Sequence, residues 1–275
     1  MKLHNSTAEI LVPAGKPVAE ALKRVTRLGI GAHQDDLEFM AFHGIIAGNF
    51  GGITCTNGSG SARTGKFANF TDAQLMAVRR QEQNRAAELG RYEVMFQLDY
   101  PSAAVKSSTD TALRDDLVQI LDATRPQVVY THNLADKHDT HIGVAIAVIQ
   151  AIRKSGQQPK VYGCEVWRDL DWLPDADKVV LDVSGHEELA GQLNGVFESQ
   201  IAGGKRYDLA VQGRRRANAT FFDSHAVDKS TGVAFALDLT PLVTEPTRDI
   251  AMYVTGFIDK FKTDVTAKLN QRLGS

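Results

Sequence analysis

Val25-Thr26-Arg27-Leu28-Gly29-Ile30-Gly31-Ala32-His33-Gln34-Asp35-Asp36-Leu37-Glu38 runs from apolar residues at strand spacing straight into one histidine and three acids. Residues 25–32 are expected to form a strand, with Gly29 as its weak point. Residues 37–47 are expected to form a helix, carried by Phe39, Met40, Phe42, Ile45 and Ile46 and stopped by Gly48. Carboxylates crowded at a strand end repel one another unless they share a cation or a proton. With a helix starting near Asp35, His33 and Asp36 lie three apart and converge, while Asp35 is rotated away. One imidazole and one carboxylate on a common cation, with a second carboxylate free beside them, is how a hydrolytic zinc site is arranged. Alone, an Asp-Asp pair at such a corner also reads as an N-cap.

Strand and helix patterns alternate outward from this stretch. A strand over 52–56 is followed by a loop over 57–61 that continues through Arg63, Lys66 and Asn69. Thr71 is the N-cap expected for a helix over 72–89, which Gly90 ends. Then come a strand over 94–98, a helix over 109–123, a strand over 127–131, a helix over 142–152, and strands over 161–166 and 179–183. Repeated βα units predict an α/β, Rossmann-like three-layer fold, with a mostly parallel sheet and helices on both faces. Ligands bind such sheets at the carboxyl ends of the strands, where the strand order switches. In the C-terminal third, helices over 187–201 and 205–220 are expected with a break at Gly203-Gly204, the second carrying Arg214-Arg215-Arg216. A strand over 233–239 and a closing helix over 247–273, irregular at Gly256, complete the chain. With no linker or repeat in view, residues 1–275 read as one domain, with a core about 25–185 and a C-terminal helical extension about 186–275.

Apolar residues make up 43% and charged residues 23%, the balance of a globular protein. A net charge of −2, from 31 basic and 33 acidic residues, argues against nucleic acid or an anionic membrane as the main partner. The early apolar run 10–12 is stopped by Pro13, far short of a signal-peptide core, and no segment approaches the ~18 apolar residues of a membrane span. Cys55 and Cys164 lack metal-pair spacing and suit buried thiols in a reducing compartment. These observations predict a cytoplasmic protein; a homo-oligomer stays open.

A second cluster follows the strand over 127–131. Thr131-His132-Asn133-Leu134-Ala135-Asp136-Lys137-His138-Asp139-Thr140-His141 holds three of the chain's eight histidines. His138 and His141, three apart beside a helix start, face one cavity. The stretch Ala32-His33-x-Asp35-Asp36-x-Glu38, followed some hundred residues later by His138-x-x-His141, resembles the PIG-L or LmbE-like zinc-dependent N-deacetylases. Those enzymes act on N-acetylglucosamine-type groups in glycolipids, sugar-thiol precursors and antibiotics. Arg79-x-x-Glu82 with Ala86 and Leu89-Gly90, then Tyr100-Pro101, is similar to their middle segment, so the likeness covers roughly residues 25 to 150.

The resemblance implies a Zn2+ site held by His33, Asp36 and His141, with Asp35 as general base and a protonated His138 beside the oxyanion. Gln34 stands where proline is usual. Thr140 stands where many members carry an aspartate that orients the first histidine of the pair, a role Asp136 or Asp139 is expected to take here. Glu38 either orients a ligand or pairs on the first helical turn. His132 makes a strand-end hydrogen bond or supports a ligand, and His43, His186 and His225 are isolated, with His225 near enough to the arginine helix to approach the cleft.

The expected function is zinc-dependent hydrolysis of an N-acetyl or related N-acyl group on an N-acetylglucosamine-type sugar or conjugate. A zinc amidase acting on a thiol or other small-molecule conjugate is the alternative. A non-catalytic ligand-binding module, with residues 57–60 cradling phosphate, ranks behind both. No Gly-x-Gly-x-x-Gly follows the first strand, and the acids there repel phosphate. Arg63, Lys66 and Arg79 are the expected substrate-binding residues, holding a phosphate or carboxylate on the amino sugar. The competing reading of residues 59–69 is a solvated loop.

Overall fold

The computed structural model describes residues 1–202 and 204–274. Eight strands form one sheet: β1 (Glu9–Leu11), β2 (Arg27–Gly31), β3 (Phe50–Thr56), β4 (Val94–Tyr100), β5 (Val128–His132), β6 (Lys160–Cys164), β7 (Lys178–Asp182) and β8 (Val233–Asp238), in the order β1-β4-β3-β2-β5-β6-β8-β7. The five inner strands from β4 to β6 run parallel. The outer pairings, β1 with β4, β6 with β8 and β8 with β7, are antiparallel.

The helices are α1 (Val18–Arg24), α2 (Asp36–Met40), α3 (Phe42–Ile46), α4 (Asp72–Leu89), α5 (Ser102–Val105), α6 (Ala112–Thr124), α7 (Asp139–Ser155), α8 (Glu187–Gly195), α9 (Glu198–Ile201), α10 (Tyr207–Phe221), α11 (Thr240–Thr244) and α12 (Ile250–Leu273). Two buried clusters lie on opposite faces of the sheet. Strand β4 shows why: Phe96 and Leu98 join the cluster of Leu117, Ile120 and Val148, while Met95 joins that of Leu37, Phe42 and Phe197. The two-residue period of a strand between helical layers yields the three-layer α/β fold predicted from sequence.

Several expectations change in detail. The helix expected over 37–47 is interrupted at Ala41, φ −105°, and becomes α2 and α3. The helix expected over 187–201 divides likewise into α8 and α9. Gly29 acts as a clearance in β2, since a Cβ there would lie 2.5 Å from the Phe50 ring. Helix α12 runs unbroken through Gly256. The sheet takes β1 and β8 from outside 25–185, so residues beyond 186 supply a strand as well as helices. Of the expected break at Gly203-Gly204, Gly203 lies outside the described residues; α9 ends at Ile201 and α10 begins at Tyr207. No described helix is long and apolar enough to cross a membrane.

The chain leaves β2 for β3 on one side, and β5 pairs with β2 on the other. The order therefore reverses between β2 and β5, and both histidine clusters emerge at the carboxyl ends of these two strands.

Candidate metal centre and active-site cleft

At the end of β2 the main chain turns sharply. Asp35 adopts a left-handed conformation, φ 95°, which a residue with a Cβ takes up only at a cost. Two bonds hold the turn. The N–H of His33 donates to Asp36 Oδ2 at 2.6 Å, and the N–H of Asp35 donates to Gln83 Oε1 at 3.2 Å. At the end of β5, His138 caps α7, its Nδ1 accepting the Thr140 N–H at 3.3 Å, which places His141 in the first turn.

The two turns bring three donors together. His33 Nδ1 lies 3.2 Å from His141 Nε2, and the Asp36 carboxylate lies 3.4 Å from the first nitrogen and 3.5 Å from the second. Two imidazole nitrogens facing each other across a carboxylate are the donor set that suits zinc. Behind His141, Asp136 Oδ2 stands 3.5 Å from Nδ1, the outer partner that directs Nε2 toward a cation. A second group, His132, Asp136 and His141, is wholly buried. It is less suited to a metal, because His132 Nε2 already accepts the Ala32 N–H at 2.9 Å. That bond also means the 3.3 Å approach of His132 to Asp36 is not an ion pair; burial and the neighbouring His141 pull the His132 pKa down to about 4. An Asp136→Asn variant is expected to bind zinc roughly 10- to 100-fold more weakly with the fold intact, checked by competition with a chromogenic chelator.

The two other carboxylates are set apart. Burial pushes Asp35 up to about 8; Arg79, 3.4 Å away, opposes the shift, and Asp36 and Glu38 add to it. Burial raises Glu38 to about 7, against hydrogen bonds from Tyr92 Oη at 2.6 Å and Gln83 Nε2 at 2.9 Å. Burial opposes the Asp36 charge too, yet His141, with the hydrogen bond from His33, outweighs it and holds its carboxyl well below the usual range. Glu38 thus anchors Gln83, which in turn fixes the main chain of Asp35. Because the folded state favours the protonated forms of Asp35 and Glu38, their contribution to stability is complete below the ordinary carboxylate pKa of ~4. It is lost as pH rises through about 7 and about 8. The Tm of chelator-treated protein is expected to fall between pH 5 and pH 8, and to fall less in Asp35→Asn.

A cleft of about 600 Å³ opens over this centre. His33, Asp35, Asp36, His138 and Arg79 line it, so the structure brings most of the expected site residues together. His141 lies beneath, fully buried. Arg63 and Lys66 are not among the lining residues. Arg63 pairs with Asp72 at the start of α4, and Lys66 pairs with Glu198 on α9 at 2.5 Å. Thr64 Oγ1 also donates to the Ala202 carbonyl at 2.7 Å, so the loop is tied down and its two cations are neutralised. His225 also lies away from the cleft lining, exposed, with its N–H on Asp223. Asp136, in place of an aspartate at 140, holds the His138 N–H at 3.0 Å and not its ring. Burial, His33 and His141 lower the His138 pKa, which disfavours the protonated form expected from sequence.

The opposite wall comes from residues beyond 150: Glu165, Val166 and Trp167 after β6, then Lys205, Tyr207, Ala210, Val211, Arg214 and Arg215. The arginine run was visible in sequence, but no spacing rule joined it to clusters more than seventy residues away. Tyr92 and Gln83 gave no signal at all, being ordinary residues of a strand approach and a helix.

This is a Rossmann-like α/β protein with a two-imidazole, one-carboxylate donor set at its topological switch point. Solved structures share the fold at low identity. N,N'-diacetylchitobiose deacetylase from Pyrococcus horikoshii is 17% identical at a TM-score of 0.60, over 80% of this chain and 86% of that one. GalB, the 4-carboxy-2-hydroxymuconate hydratase from Pseudomonas putida KT2440, is 18% identical at 0.60, over 78% and 95%. A zinc-inhibited form of teicoplanin deacetylase Orf2 is 15% identical at 0.55, over 76% and 96%. No curated protein sequence matches the chain. The PIG-L family model, described as GlcNAc-PI de-N-acetylase, matches residues 28–152 of this chain.

Proposed function

We propose that the protein is a zinc-dependent hydrolase that removes an N-acetyl or related N-acyl group from an N-acetylglucosamine-type sugar or sugar conjugate. We propose further that it works in the cytoplasm as one catalytic domain. The observation that carries the reading is the convergence of His33, Asp36 and His141, whose donor atoms lie within 4.8 Å of one another, with the Asp35 carboxylate beside them in the cleft. Zinc, when bound by these three, would polarise the amide carbonyl and acidify an attacking water. Asp35 takes the proton from that water and returns it to the departing nitrogen; Arg79 opposes the rise of its pKa. His138, with Nδ1 committed to the Thr140 N–H, presents Nε2 to the developing oxyanion. Phe39, Trp167 and Tyr207 line the same cleft and exclude water from the reacting amide. The buried free thiols of Cys55 and Cys164 suit a reducing compartment.

The deciding assay measures acetate release from N-acetylglucosamine derivatives by the zinc-loaded protein, with and without a chelator. Chelator-sensitive release is expected; zinc-loaded protein that frees no acyl group from any amino-sugar amide overturns the reading. With Nδ1 accepting the Thr140 N–H, His138 is neutral and donates from Nε2; His138→Gln, which keeps a donor, is expected to retain more kcat than His138→Ala. A second reading, addition of water to a polyanionic carbon skeleton as in the hydratase that shares the fold, is favoured by the cations on the cleft wall. It would release no acetate.

A further inference from the structure

We propose that the wall formed by Lys205 and α10 binds an anionic group, a carboxylate or a phosphate, on the substrate, with Arg214 and Lys205 in contact and Arg215 behind them. This deepens the hydrolase reading above and rests on it. With Arg63 and Lys66 neutralised and Arg79 beside Asp35, the other cations lining the cleft are Lys106, Lys205, Arg214 and Arg215. None of these four pairs with a carboxylate among the described residues.

Arg215 carries the argument. It is 6% exposed, and its Nη2 donates to the carbonyls of Glu38 at 2.8 Å and Phe39 at 3.0 Å, while the guanidinium lies 4.3 Å over the Phe42 ring. Its Nε and Nη1 have no partner. The charge of Glu165 acts on Arg215 without a hydrogen bond between them, and a buried cation whose donors stay unpaired is costly unless more negative charge is supplied nearby. Arg214 uses Nη1 on the Val166 carbonyl, and its charge acts on Glu165 without an ion pair between them. Lys205 holds its ammonium 5.0 Å over the Trp167 ring instead of on an acid.

Glu165, the acid on this wall, commits one oxygen to other groups and leaves its buried Oε2 without a hydrogen-bond partner. Its Oε1 accepts from Asn218 Nδ2 at 2.6 Å and from the Phe235 N–H at 3.2 Å. One carboxylate stands against the three cations of this wall, Lys205, Arg214 and Arg215, and pairs with none of them, and an arginine fork suits a carboxylate or a phosphate. Arg215 holds the Glu38 and Phe39 carbonyls of α2, the helix that begins at Asp36, so the wall and the metal centre border one cleft.

The test compares kcat/KM for N-acetylglucosamine 6-phosphate and N-acetylmuramic acid with that for N-acetylglucosamine, in wild type, Arg214→Gln, Lys205→Gln and Arg216→Gln. At least one anionic substrate is expected to be preferred tenfold or more, through KM. Whichever anion gains the preference identifies the group. The preference should drop at least fivefold in Arg214→Gln and Lys205→Gln, and persist in Arg216→Gln, whose side chain points to Thr231 on the exposed side. Parity in wild type, or a preference that survives both substitutions, overturns the proposal. Calorimetric titration with glucosamine 6-phosphate and with glucosamine adds a readout independent of turnover. Tighter binding of the phosphate that depends on Arg214, without hydrolysis of any amide, leaves the anion wall standing and the hydrolase reading refuted. Hydrolysis without anion preference does the reverse.

Discussion

Substituting alanine at His33, Asp36 or His141 is expected to strip zinc from the protein and lower kcat/KM by roughly a thousandfold or more, since each removes one of three donors. Metal content by elemental analysis, against about one zinc per wild-type chain, is the first measurement. Asp36 needs a second variant, because its Oδ2 also receives the His33 N–H and so shapes the turn. Asp36→Asn keeps an acceptor there and should still lose the metal. The same metal content in all three alanine variants as in wild type would refute the ligand set.

Asp35→Asn is expected to separate binding from turnover. The amide is nearly the same size, keeps its place beside Arg79 and leaves the donors of His33, Asp36 and His141 untouched, so zinc stays bound. It cannot accept a proton, so kcat is expected to fall on the order of 10²- to 10⁴-fold with KM little changed. The variant has a further signature. In the metal-free protein the raised pKa of Asp35 keeps it largely protonated at pH 7, so zinc binding should release a proton from it. Calorimetry in buffers of different ionisation enthalpy should show fewer protons released by Asp35→Asn. Near wild-type kcat in this variant would move the base to another carboxylate. Glu38, the next acid in sequence, already receives bonds from Tyr92 and Gln83.

The legible part of the structure was whatever local spacing controls. Alternating apolar runs gave the inner strands, and the three-residue intervals 33–36 and 138–141 pointed to the convergence at two strand ends, because a tight turn into a helix start brings residues three apart to one side. What could not be read depended on contacts between distant segments. The pairing of Arg63 with Asp72 and of Lys66 with Glu198 cancelled two cations that looked free in sequence. Strand β8 pairs with both β6 and β7, an antiparallel insertion that no local pattern encodes. The helix over 37–47 failed to stay whole because Ala41 leaves helical geometry as the chain turns over the sheet.

The floor of the cleft and its facing wall are drawn from separate lengths of chain, the floor from within 28–152 and the wall from 165–167 and 205–215. Under the proposed hydrolase reading, changes on the wall revise recognition without disturbing proton transfer on the floor. Ala210 and Val211, which line the cleft from α10, are open to such retargeting. Arg215 is not, because through the carbonyls of Glu38 and Phe39 it belongs mechanically to the helix that begins at Asp36. A diversified library that spares position 215 should consequently yield more active clones than one that includes it.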